Sequence, residues 1–155
     1  MKALKTLFVT LLLLCSPALL LAEGVEKIGA QGLRNLIDSS RGRVLIVNYW
    51  ATWCSPCVKE FPGLMNVRRE FPESDLTIVG ISVDYNPKPV ENFVRQNKVN
   101  FPIFIDDGSI ASMMDIGSIP RTLIYDRHGK KILDHLGFIP EESFRHVVQR
   151  LLSMP

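Results

Sequence analysis

Apolar positions along the chain fall into continuous runs and runs at helical spacing, and the two kinds alternate. Val44-Leu45-Ile46-Val47, within Arg43 to Trp50, is unbroken, as in a strand covered on both faces. Cys57 to Phe71 instead carries Val58, Phe61, Leu64, Met65 and Phe71 near helical spacing. Pro62 inside it has no N–H to donate, which predicts a kink. Leu76 to Val83 is a second buried-type strand, rich in β-branched residues. Strand, helix and strand in that order predict a βαβ unit with parallel strands and a right-handed crossover.

The flanking segments complete the picture. Glu23 to Gly42 reads as a lead-in with a short amphipathic helix on Leu33, Leu36 and Ile37. Asn86 to Lys98 reads as a helix, Phe101 to Ile105 as a short strand and Ser109 to Ile116 as a short helix. Thr122 to Asp126 and Lys131 to Gly137 form a hairpin across the turn Arg127-His128-Gly129-Lys130. Pro140 and Glu141 open a last helix through Leu152, with Phe144, Val147, Val148, Leu151 and Leu152 as its buried stripe. The expected fold class is α/β, a mixed sheet flanked by helices.

The N-terminus has a different pattern. Lys2 and Lys5 precede an almost wholly apolar run, Thr6 to Leu21, before polarity returns at Glu23. This is the layout of an export signal, with cleavage expected after Ala22. An uncleaved membrane tether through residues 6–22 is the alternative, although a span takes about 20 apolar residues. The domain boundaries are therefore 1–22 for the signal or anchor and 23–155 for one folded domain. Cys15 lies inside the apolar run, with Leu14 before it and Leu19 to Leu21 after it, and is read as filler.

Composition changes the picture in two places. The 155 residues are 46% hydrophobic and 22% charged, which is globular and leaves room for one sizeable core. Formal charge is +2, but without Lys2 and Lys5 the balance is 16 basic against 16 acidic residues. No basic patch is implied, and nucleic acid is set aside as a partner.

Beyond the signal, Cys54 and Cys57 are the remaining cysteines, in a compartment where disulfides persist. A bridge between them closes so short a loop that it is a poor staple, so the pair is read as chemical. Trp53-Cys54-Ser55-Pro56-Cys57 follows the first long strand and opens the next helix. Unpaired N–H groups and partial positive charge at a helix N-terminus stabilise a thiolate. Cys54 is the expected exposed nucleophile, and Cys57, one turn on, the shielded thiol that resolves a mixed disulfide. A zinc site would need further ligands, and His128, His135 and His146 lack ligand spacing. The histidines are read as surface residues. No metal and no cofactor is assigned.

Asn48 to Cys57, NYWATWCSPC, resembles the active-site segment of the thioredoxin superfamily, in particular its extracytoplasmic TlpA/ResA-like branch. The resemblance covers nearly the whole chain after the signal. It extends to Asn48, where thioredoxin itself carries a buried aspartate, and to an inserted strand and helix matching Asp84 to Ser118. Local sequence favours a trans bond at Ile119-Pro120, cis being found in about 5–6% of such bonds. The resemblance implies instead a cis-proline opposite the cysteines, with Ile119 offering backbone bonds to an extended substrate and Trp53 an apolar contact. Trp50 is read with Trp53 as an apolar collar, or as core. Glu60, three residues after Cys57, reads locally as an exposed acid on the same helix face. The resemblance implies a place beside the cysteines and a role in accepting the Cys57 proton. Arg121 departs from the glutamate that follows the cis-proline in the branch devoted to cytochrome c maturation.

Ser55-Pro56 puts no cation between the cysteines, so a reducing rather than a strongly oxidising protein is expected. The resemblance implies disulfide-bearing client proteins and recharging by a DsbD/CcdA-like membrane thiol reductase. It places the protein in the periplasm or another extracytoplasmic space, with roles in cytochrome c maturation or redox homeostasis. The rivals are a thiol peroxidase and a copper- or zinc-binding metallochaperone.

Overall fold

The computed structural model describes residues 24–154. The expected signal or tether, residues 1–22, and Cys15 lie outside the described residues. Among the described residues no helix is long and apolar enough to cross a membrane.

The strands are β1 (Lys27–Ile28), β2 (Val44–Trp50), β3 (Leu76–Ser82), β4 (Ile103–Asp106), β5 (Arg121–Tyr125) and β6 (Lys131–Leu136). The helices are α1 (Ala30–Ser39), α2 (Ser55–Glu70), α3 (Pro87–Asn97), α4 (Ser109–Met113) and α5 (Glu141–Leu152). All six strands join one sheet in the order β1-β4-β3-β2-β5-β6. β1, β4, β3 and β2 are mutually parallel, while β5 runs antiparallel to β2 and to β6. The mixed sheet expected from the pattern is thus present.

Every residue of β2 is buried, as its unbroken apolar run requires. Alternate residues serve opposite layers. Val44, Ile46 and Trp50 pack with Phe61, Leu64 and Val67 of α2 and Phe144, Val148 and Leu151 of α5. Leu45, Val47 and Tyr49 pack with Leu33 of α1 and Ile110 of α4. Asn48 therefore points toward α2, the polar member of an otherwise apolar row.

Two details depart from expectation, and a third settles an alternative left open. β1 emerges from the lead-in, a strand too short to leave a periodic pattern; Glu26 and Ile28 accept from the amides of Ile105 and Asp107. α4 ends at Met113 rather than Ile116, because Asp115 takes a left-handed φ of 50° that cannot continue a helix. Trp50 is core, its ring 4.4 Å from Phe61 and 4.8 Å from Phe93.

α2 continues through Pro62. Gly63 beside it faces α5, where a Cβ would come within 3.0 Å of Glu141 Cβ, so glycine permits the close approach of these two helices.

Candidate active site

The parallel strands β2, β3 and β4 all end at one edge of the sheet, where the chain Ala51–Cys57 turns from β2 into α2. Cys54 is the N-cap of α2, and Ser55 and Pro56 fill the first turn, where a missing N–H leaves no helical bond unmade. The two cysteines form a disulfide. Cys57 N–H donates to Cys54 Sγ at 3.3 Å, so the helix terminus converges on this sulfur, the arrangement that favours a thiolate there. Cys54 is 6% exposed and Cys57 0%. Cys54 is the more open residue of the two, although the oxidised pair is more enclosed than the sequence suggests.

The loop carrying Cys54 is held by a residue that local sequence marks only as the start of the inserted segment. Asp84, buried just past β3, accepts from Thr52 N–H at 2.9 Å, Thr52 Oγ1–H at 2.7 Å and Ser82 Oγ–H at 2.7 Å. Val83 N–H donates to Trp50 O at 2.9 Å, closing the ends of β2 and β3 together. An acid directly after a buried strand, level with the end of the strand leading to the cysteines, was the available signal.

The Ile119–Pro120 bond is cis, where local sequence statistics alone favoured trans. Tyr49 pairs with Arg121 in the β2–β5 ladder, so Pro120 lies at the same sheet edge as the cysteines. Arg121 anchors the preceding loop. It donates to Asp134 at 2.7 and 3.1 Å, and to the carbonyls of Met114 and Asp115 at 3.3 and 3.0 Å. Its hydrogen bonds hold the Asp134 carboxyl down at about 2. The Pro120 carbonyl accepts from Gly137 N–H at 2.8 Å, tying the loop to the end of β6.

Glu60 is 1% exposed, which corrects the exposed acid that local sequence favoured. Its Oε2 accepts from Asn48 Nδ2 at 2.7 Å and its Oε1 from Ile139 N–H at 2.6 Å. Asn48 Nδ2 also donates to Thr122 Oγ1 at 3.1 Å. Burial pushes the Glu60 carboxyl up to about 7, against the opposing pull of the two hydrogen bonds. A carboxyl one helical turn from Cys57 that titrates near neutrality can take up a proton.

Trp53 stands 70% exposed beside Cys54, so the collar expected of both tryptophans reduces to this one. Phe138 is also exposed, with Lys59 Nζ 5.3 Å from its ring centroid. His128 and His146 are exposed; His135 is half-buried opposite Thr122 on β6. Among the described residues no cluster of three or more histidine, cysteine, aspartate or glutamate side chains is placed to hold a metal ion.

Comparison with known proteins gives the same picture. The sequence model of the AhpC/TSA family matches residues 26–132. The thiol-disulfide oxidoreductase ResA of Bacillus subtilis is 32% identical over 123 residues, 79% of this chain and 68% of the relative. Among solved structures, a thiol:disulfide interchange protein of the thioredoxin family from Chlorobium tepidum superposes with a TM-score of 0.70 at 25% identity, over 75% of this chain and 84% of the other. StoA from Bacillus subtilis superposes with a TM-score of 0.62 at 26% identity, over 68% and 82%.

Proposed function

The chain belongs to the AhpC/TSA family, and from that premise we propose that it is exported and reduces disulfides of extracytoplasmic proteins. At the coarser level it is a thioredoxin-like thiol–disulfide oxidoreductase. The observation that carries the proposal is the Cys54–Cys57 disulfide at the tip of α2, more open at Cys54 than at Cys57.

In this reading the reduced Cys54 thiolate attacks a client disulfide, forms a mixed disulfide and expels one client thiolate. Cys57 then loses its proton to Glu60 and attacks Cys54 Sγ. The Cys54–client bond breaks, the second client thiolate leaves, and both client sulfurs take protons from water. The client gains two electrons and the Cys54–Cys57 pair loses them. Trp53, Ile119 and Pro120 form the substrate shelf. Residues 1–22 direct export or act as a tether, and residues 23–155 are the working domain. A membrane thiol reductase restores the dithiol. Cytochrome c apoproteins and other exported thiol proteins are the client classes, with Arg121 weighing against dedication to the first.

The test joins two measurements. Cys57→Ala protein, exposed to exported proteins, is expected to accumulate mixed disulfides through Cys54. Equilibration of the wild-type pair with glutathione is expected to give a reducing potential. A potential as high as that of a strong oxidant reverses the direction, and failure to trap any partner removes the exchange reading. The peroxidase rival would show as rapid peroxide consumption.

A further inference from the structure

Both oxygens of the buried Glu60 carboxylate face N–H donors, Ile139 N at Oε1 and Asn48 Nδ2 at Oε2. The same Asn48 nitrogen serves Thr122 Oγ1, whereas Asn48 Oδ1, fully buried, has no partner. This set of partners suits an ionised carboxylate. Once protonated, the group carries an O–H that needs an acceptor, and the hydroxyl oxygen is a poorer acceptor than a carboxylate oxygen. The pull on one of the two donors is therefore weakened. Ile139 N–H belongs to the backbone and cannot reverse. The Asn48 amide can, since half a turn about its terminal bond exchanges a donor for an acceptor at nearly the same position.

We infer that Asn48 is a positioning residue for proton transfer at Glu60, its amide turning over when Glu60 gains a proton so that Oδ1 takes the place of Nδ2. In the turned state Oδ1 accepts from Glu60 Oε2–H and from the Thr122 hydroxyl, which is free to donate or accept. The turn gives up the two bonds that Nδ2 donates, to Glu60 and Thr122, for two that Oδ1 accepts, and none is broken at the present place of Oδ1. The inference rests on Glu60 serving as proton acceptor in the proposed exchange. In that step the Cys57 S–H bond breaks, the Glu60 Oε2–H bond forms, and the electron pair stays on sulfur. No covalent bond of Asn48 changes.

The groups facing Glu60 leave the amide in control. β2 contributes Asn48, β5 Thr122 behind it and the segment ahead of α5 the Ile139 amide, while Cys57 stands one helical turn earlier on α2. His135 of β6 stands behind Thr122 in the ladder. On α5, Glu141 is engaged by Asn66 and Arg145, and past β3 Asp84 is engaged by Thr52. Burial raises the Glu60 carboxyl and the Ile139 and Asn48 hydrogen bonds pull it back to about 7, with no part played by these charges, so both states are populated at neutral pH.

The experiment is NMR on the full-length, 13C,15N-labelled protein in its disulfide form, titrated from about pH 5 to about pH 9. Glu60 Cδ is expected to titrate once, with Asn48 Cγ and Nδ2 following the same midpoint. Nuclear Overhauser contacts from the Asn48 amide protons to the Thr122 methyl should be present at the basic end and lost at the acidic end. Glu60→Gln puts a permanent N–H where the carboxyl O–H would sit, so it should show the turned pattern at every pH. If Glu60 titrates while the Asn48 contacts persist, or if the Gln variant keeps the unturned pattern, the switch is overturned and the proton-acceptor reading survives. If Glu60 does not titrate in this window, both are overturned.

Discussion

Asp84 holds Thr52 at two points, the backbone N–H at 2.9 Å and the hydroxyl at 2.7 Å, and so fixes the turn that presents Cys54. Glu60, one helical turn beyond Cys57, is held by donors that also report its charge. One buried acid sets position; the other can change state.

Replacing Asp84 with Ala leaves the Thr52 amide, the Thr52 hydroxyl and the Ser82 hydroxyl without their acceptor. The expected loss is about 1–3 kcal/mol, the cost of stranding buried donors. It is measured by urea denaturation, with hydrogen exchange at the Thr52 amide as the local readout. Unchanged protection of that amide would mean the tether is not what orders the loop.

The stability of the protein should carry the signature of Glu60. Its folded-state value is raised from 4.5 to about 7 by burial, so the native chain binds the proton more tightly than the unfolded one. The sign follows: stability falls as pH rises from about 4.5 through about 7 and then levels off, a contribution on the order of 3 kcal/mol. Wild type minus Glu60→Gln, measured by denaturation at several pH values, isolates it. Parallel curves for the two proteins would show that Glu60 is ionised throughout.

The resolving step should depend on the same group in the opposite sense. The carboxylate is the form that accepts a proton, so release of a trapped client is slow below about pH 7 and faster above it. Glu60→Gln removes this inflection and lowers the rate by about 10²-fold, the lower end of what a positioned base contributes. Rapid-quench kinetics of mixed-disulfide breakdown gives both numbers.

Trp53 is so exposed that Trp53→Ala should change stability by no more than about 0.5 kcal/mol. Exchange with a protein disulfide should slow by about tenfold, the loss of one well-placed aromatic contact, while exchange with a small-molecule disulfide is unaffected. Equal slowing for both substrates would place Trp53 in the chemistry instead of in client contact.

Much of this architecture could be read from local pattern, and the reasons are physical. β2 and β3 are covered on both faces, so their runs are unbroken, and the cysteines stand where a strand meets a helix. What escaped local reading depends on distant partners. Glu60 resembles any solvated helix acid until Asn48, 12 residues away, and Ile139, 79 residues away, close over it. β1 consists of Lys27 and Ile28 alone and takes its existence from β4. Trp50 and Trp53, three residues apart, look alike in sequence, yet one ends a buried strand and the other sits on the turn beyond it. The cis bond before Pro120 was suggested by family resemblance, against what the dipeptide itself favours.

In the proposed exchange, the full burial of Cys57 bears on how long a captured partner would stay attached. With that sulfur out of a second client's reach, discharge by Cys57 would be a first-order event inside one molecule. Each covalent encounter therefore carries its own internal clock, started when the Cys54 sulfur is taken and stopped by a neighbour the outside cannot touch.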